Sequence, residues 1–145
     1  MRYPEQLIKI MREDLTKNGV AETRTPEEVD KALLDPNAGT VMMVVNSVCG
    51  CAAGKARPGV VEALKHKVVP QHVYTVFAGG DVEATARVRE LATGIPPSSP
   101  SVYLFREGKP IWAMHRHQIE GSGAFAIAET LKKAFEQHCA PKVSQ

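Results

Sequence analysis

The chain has 145 residues, 43% hydrophobic and 23% charged, with 18 basic against 16 acidic side chains. That length suits one domain with a core that needs no staples, and a net charge of +2 is too balanced for a nucleic-acid binder. No apolar run reaches 18 residues, and the N-terminus Met1-Arg2-Tyr3-Pro4-Glu5 lacks the apolar region of a secretory signal. The expectation is therefore a cytoplasmic protein without a membrane partner. There a lasting structural disulfide is disfavoured, and cysteines point to redox, metal or packing roles.

Leu7, Ile8, Met11 and Leu15 recur at helical spacing between Pro4 and Lys17, and Asn18-Gly19 stops the pattern. Thr25-Pro26-Glu27-Glu28 supplies an N-cap, a proline at the first helical position and acidic residues in the first turn, predicting a helix to about Leu34. Thr40–Val45 is a short apolar, β-branched run without a breaker, the pattern of a strand buried on both faces. Asn46-Ser47-Val48 turns the chain, and Cys49-Gly50-Cys51 arrives where an Ala/Lys/Arg-rich helix begins. Pro58-Gly59 inside that helix predicts a kink, because helical pattern continues on both sides.

His72–Ala78 reads as a second strand, closed by Gly79-Gly80, and Asp81 as the cap of a helix from Val82 to about Thr93. Ile95–Pro100 contains three prolines and cannot be regular structure. Ser101–Phe105 and Ile111–His117 flank Glu107-Gly108-Lys109, a loop of hairpin length. Ser122 is placed to cap a last helix bearing Phe125, Ile127, Ala128, Leu131 and Phe135. The order is α-α-β-α-β-α-β-β-α. A parallel right-handed strand–helix–strand unit followed by a hairpin and a helix predicts an α/β domain over 1–145, with a mixed sheet of four main strands, helices on both faces and two extra N-terminal helices. A cysteine at the end of the first strand and a proline directly before the third are what a thioredoxin-like fold requires.

The cysteines carry the chemistry. A thiol at a helix N-terminus meets unpaired N–H groups and the positive end of the dipole, which favour thiolate. Lys55 and Arg57 add positive charge one to two turns on. Two helical residues at i and i+2 diverge by roughly 200°, so Cys49 must lie outside the helix for the pair to meet. A disulfide across Gly50 would close a very small ring of the easily reduced kind. The rival is a metal or iron–sulfur site, in which Cys139, His72, His115, His117 or His138 would complete the ligands. Gly50–Lys55 sits where a phosphate loop would, but three residues separate its glycines and Ala56 stands where a magnesium-binding hydroxyl is needed. His115 and His117, on one strand, would share a face with Arg116 opposite; one of the three could steer an anionic thiol.

The segments V-N-S-V-C-G-C-A-A-G-K-A-R-P, F-A-G-G-D-V-E-A-T-A, P-P-S-S-P-S-V-Y-L-F and H-Q-I-E-G together resemble the bacilliredoxin family. The resemblance implies a thioredoxin-like fold and thiol–disulfide exchange on proteins that carry bacillithiol as a mixed disulfide. It makes Cys49 the nucleophile, Cys51 the second cysteine, and Pro100, with Ser99 before it, the substrate-side proline that such folds hold in cis. It implies no tightly bound cofactor, a low-molecular-weight thiol as co-substrate, S-thiolated client proteins as partners, and weak disulfide isomerase activity at most.

Overall fold

A computed structural model describes residues 2–139. Six helices, α1 (Glu5–Thr16), α2 (Pro26–Leu33), α3 (Arg57–Ala63), α4 (Val82–Leu91), α5 (Arg116–Glu120) and α6 (Ala124–His138), surround one sheet. Its strands are β1 (Ala21–Glu22), β2 (Thr40–Asn46), β3 (His72–Phe77), β4 (Ser101–Arg106) and β5 (Lys109–Met114), in the order β1-β3-β2-β4-β5. β2 runs parallel to β3 and antiparallel to β4, so the sheet is mixed as expected. The four expected strands are joined by β1, a two-residue strand parallel to β3. Two residues leave no alternation to read, and only pairing with Tyr74 and Thr75 defines them.

All seven residues of β2 are buried, because the sheet is covered on both sides. Met42 and Val44, with Val102 and Leu104 of β4, pack under α3, α5 and α6 through Val60, Ile119, Ile127, Leu131 and Phe135. Val41, Met43 and Val45, with Tyr103 and Phe105, face α2 and α4 through Val29, Leu33, Ala84 and Val88. Strand alternation thus sends each set to its own core. Gly59 lets α3 and α6 approach closely, since a Cβ there would lie 2.6 Å from Ile127 Cγ2.

Capping follows the sequence in part. Thr25 Oγ1 accepts the Glu28 N–H at 3.1 Å. Asp81 heads α4 but spends its carboxylate elsewhere. It accepts the Phe77 N–H and two bonds from buried Arg12 at 2.8 Å each. α1 therefore docks through Ile8, Arg12 and Leu15, while Leu7, read as part of the apolar face, is 53% exposed. At α6 the N-cap is Gly123 rather than Ser122. Phe125 is 77% exposed, being two residues, or roughly 200°, from Ile127.

Two departures lie near the cysteines. The helix after β2 does not run as a plain α-helix into Pro58; Ala52–Ala56 form a π-helical turn that leads directly into α3. β5 ends at Met114, and Arg116–Glu120 form α5 instead of continuing the strand. Gln118 Oε1 accepts the His115 N–H at 2.8 Å, which satisfies a donor at the helix start that a longer strand would have given to the ladder.

Candidate active site

Asn46 ends β2 and organises the turn that follows. Its Oδ1 accepts the Ser47 N–H at 2.9 Å and a bond from Arg57 Nη1 at 3.2 Å, and its Nδ2 donates to the Met11 carbonyl at 3.1 Å. One buried amide thus ties the strand, the turn, α1 and the cysteine helix together. Arg57 is buried as well, donates a second bond to the Ser47 carbonyl at 3.2 Å, and lies with Nε 3.1 Å from Asp14 Oδ2. That last contact is an ion pair without an aligned hydrogen bond. Of the positive charges expected one to two turns past the cysteines, Arg57 is held in this network and still interacts with the Cys49 charge, and Lys55 is committed to the Glu120 carbonyl at 2.6 Å.

On this base sits the first thiol. The Cys49 N–H donates to Ser47 Oγ at 3.4 Å, and the Ser47 hydroxyl donates back to Cys49 Sγ at 3.3 Å. The Cys49 carbonyl accepts the N–H groups of Ala52 and Ala53 at 3.0 and 3.1 Å, placing Cys49 at the helix start with Cys51 in the first turn. Burial alone would raise the Cys49 pKa. Donation from the Cys51 thiol, the Ser47 hydroxyl and the Ala52 and Cys51 N–H groups outweighs it, and the Cys49 thiol is held below its ordinary value. Cys51 moves the opposite way. Burial, its hydrogen bond with Cys49 and the negative charge there push it up, against a pull from Arg116. The pair releases its first proton from Cys49 and keeps the second on Cys51.

Arg116 comes from the far side of the site. Its N–H donates to Ser98 Oγ at 3.2 Å, its Nη1 to the Ser99 carbonyl at 3.2 Å, and its Nε lies 3.5 Å from Glu120. Negative charge on the cysteine pair strengthens its hold on its proton. The Ser99–Pro100 bond is cis and Pro100 is buried. Cys49 and Ser99 line one open cleft of about 350 Å³ together with Tyr3, Ser47, Val48, Ala78, Gly79, Arg89 and Arg116. Cys49 and the Ser99–Pro100 turn, which the family resemblance places side by side, meet here. Another hollow, of about 340 Å³ between α1 and α3, has no thiol in its lining.

The other ligands considered for a metal are divided by the sheet. Cys139 hydrogen-bonds the Thr40 side chain, the His138 carbonyl accepts from Thr40 Oγ1, and His72 pairs with Val41. All three mark the start of β2, whereas Cys49 follows its end, on the order of 20 Å away at strand rise. Burial pushes the Cys139 thiol up to about 11. His115 and His117 lie nearer the site, with rings stacked at 5.7 Å, although only His115 directly follows the strand. Among the described residues no group of three or more His, Cys, Asp or Glu is placed to hold a metal. Arg89, which the sequence reading passed over, enters from α4. Its signal, an arginine one position past the buried Val88, has no motif around it.

Comparison with known proteins settles the relationship. A family model described as "Disulphide isomerase" matches residues 3–139. A bacilliredoxin of Salinibacter ruber is 51% identical over 142 residues, covering 96% of this chain and 82% of that one. One of Koribacter versatilis is 50% identical with 94% of both chains covered. The chain belongs to the bacilliredoxin family. A bacilliredoxin of Geobacillus kaustophilus, at 45% identity over 92% of this chain and 90% of its own, extends the relationship. Among solved structures, the oxidised thioredoxin of Plasmodium falciparum superposes with a TM-score of 0.58 at 18% identity, covering 83% of this chain and 99% of that one. The thioredoxin of Malassezia sympodialis gives 0.58 at 17%, covering 82% and 90%. These establish the thioredoxin-like fold, and with the family they point to a thiol oxidoreductase. Among the described residues no helix is long and apolar enough to cross a membrane.

Proposed function

We propose that this bacilliredoxin removes a low-molecular-weight thiol, bacillithiol in the first instance, from mixed disulfides on cytoplasmic client proteins. The observation that carries this reading is the unequal pair: a donor-rich, lowered Cys49 beside a raised Cys51. Cys49 thiolate attacks the small thiol's sulfur; a Cys49–small-thiol disulfide forms, the client's sulfur leaves as thiolate and takes a proton from solvent. Cys49 is then neutral, so the charge that kept the proton on Cys51 is gone while Arg116 remains. Cys51 loses its proton to solvent more readily and attacks Cys49 Sγ. The internal disulfide forms and the small thiol leaves; a dithiol reductant returns the two electrons and resets the pair. A second small thiol can instead attack the adduct directly. Isomerisation of client disulfides by the same Cys49 would be a minor activity.

The test is single-turnover transfer from an S-bacillithiolated and an S-glutathionylated client, followed by intact mass. Cys49→Ser takes no adduct, and Cys51→Ser takes the adduct and keeps it. Transfer by Cys49→Ser at the wild-type rate, with Cys51→Ser inactive, would invert the roles. Equal transfer from both clients would remove the bacillithiol preference.

A further inference from the structure

The cleft beside Cys49 holds a cation that the exchange step leaves unused. Arg89, from α4, lines the same cleft as Cys49. Its Nε is buried and has no hydrogen-bond partner among the described residues. Every other arginine among them has a carboxylate or carbonyl acceptor. Arg87, two positions away on the same helix, pairs with Asp30 at 2.5 Å, and even Arg116 has Ser99 and Glu120. A buried guanidinium donor without a partner is costly, and here it borders an open space with no acidic residue in its lining. Two arginines and a nucleophilic sulfur line one cleft whose lining holds no carboxylate, and one of the two, Arg89, keeps a buried donor without a partner among the described residues.

We propose that this cleft binds a carboxylate carried by the small-thiol half of the mixed disulfide, with Arg89 as its principal partner and Arg116 as the second. The proposal rests on the exchange reading above and names the substrate chemistry of that same site. A carboxylate matches the guanidinium fork with two parallel hydrogen bonds. The small-thiol half is the correct source, because its sulfur is the one that bonds to Cys49 and remains while the client departs. At about 350 Å³ the cleft also has the size of a small-molecule site rather than a protein interface. Arg89 is thus a specificity-determining residue: it favours retained thiols that bring negative charge.

The experiment uses three symmetrical disulfides of similar size: dithiodipropionate (anionic), hydroxyethyl disulfide (neutral) and cystamine (cationic). In each, Cys49 thiolate breaks the S–S bond, one half stays on Cys49 and the other leaves as thiolate. Adduct formation on the full-length Cys51→Ser protein is timed by peptide mass mapping, which separates Cys49 from Cys139. Each rate is divided by that of a short cysteine peptide with the same reagent. The expected order is anionic, neutral, cationic, with about tenfold between the first two, corresponding to roughly 1.4 kcal/mol, and a gap that narrows with added salt. Arg89→Met collapses the anionic-to-neutral ratio toward one, while Arg87→Met, whose side chain is absent from the cleft lining, keeps it. Loss of folding would also bring the ratio to one, but by dropping the neutral rate to that of the peptide, whereas in folded Arg89→Met the neutral rate stays at the wild-type level. A last arm presents neutral hydroxyethyl mixed disulfides on an acidic and an uncharged client peptide. A preference that followed the client's charge would overturn the assignment, as would charge-independent rates or an Arg89→Met protein that kept the wild-type ratio. Absence of any Cys49 adduct, from small disulfides and clients alike, would overturn the exchange reading itself.

Discussion

Replacing Arg57 by Met isolates what the buried guanidinium does beneath the thiol turn. The substitution removes two hydrogen bonds of 3.2 Å, to Asn46 Oδ1 and the Ser47 carbonyl, and an ion pair to Asp14. Hydrogen bonds to a charged group contribute ~1.5–3 kcal/mol each, and 3.2 Å is at the long end of the normal range, so the lower figure applies to both. Asn46 Oδ1 keeps its bond from the Ser47 N–H, so only the Ser47 carbonyl loses this partner without a described replacement. Burial also disfavours the charged arginine, lowering its pKa, and methionine is spared that cost. A net loss of about 2–3 kcal/mol results, near that of other broken buried networks. With an unfolding entropy of ~2.1 cal/mol/K per residue, a chain of 145 residues should lose about 7–10 °C in Tm. Calorimetry or thermal circular dichroism measures it. The turn that aims the Ser47 hydroxyl at Cys49 loosens as well, so alkylation of Cys49 at neutral pH should slow. A melting point within 2 °C of wild type, with unchanged alkylation, would show that Arg57 merely fills space.

Alkylation of the native protein across pH should mark Cys49 first. Its pKa lies below the ordinary thiol value, so its reactive thiolate persists as pH falls into a range where Cys51 and Cys139, both raised, are protonated. Below the Cys49 pKa its rate should fall tenfold per pH unit, and mass mapping of iodoacetamide adducts that showed Cys139 leading at neutral pH would contradict the assignment. Gly59→Ala should destabilise by about 1–3 kcal/mol through overpacking, since the new Cβ meets Ile127 Cγ2 at 2.6 Å and the Ala124 carbonyl at 3.2 Å. Urea denaturation measures the loss, and Ile127→Ala in the same chain should recover part of it.

Where the sequence was sufficient, one local signal carried the assignment. Thr25-Pro26 sets the start of α2, the apolar run sets β2, and the turn after it places Cys49 ahead of its helix, all within a few residues of chain. The Ser99–Pro100 turn was singled out too, although its place beside Cys49 came from family resemblance and not from spacing. Features made by distant contacts were not legible. β1 exists because Ala21 and Glu22 find β3, and α5 because β5 ends where Gln118 can satisfy His115. Arg12 sits among apolar residues on α1 and is buried only because Asp81, Glu5 and Glu22 surround it. Arg89 and Arg116 lie far apart in sequence and converge only once α4 and α5 flank the cleft. Charge at the site therefore had to be read from tertiary structure, while the thiols themselves could be read from order along the chain.

The placing of β2 also bears on how the protein is made. β2 can pair with β3 once the intervening helix has emerged, but its other edge must wait for β4, which begins only at Ser101. During synthesis the thiol turn is consequently complete long before the Ser99–Pro100 segment that walls it. A nascent chain released from the ribosome early would present Cys49 to cellular oxidants with one side of its cleft absent. Pairings this distant in sequence form slowly and leave strand edges open meanwhile. Truncation before the β4–β5 hairpin should therefore yield a species whose cysteines couple to other chains, which non-reducing electrophoresis of the truncated chain would detect.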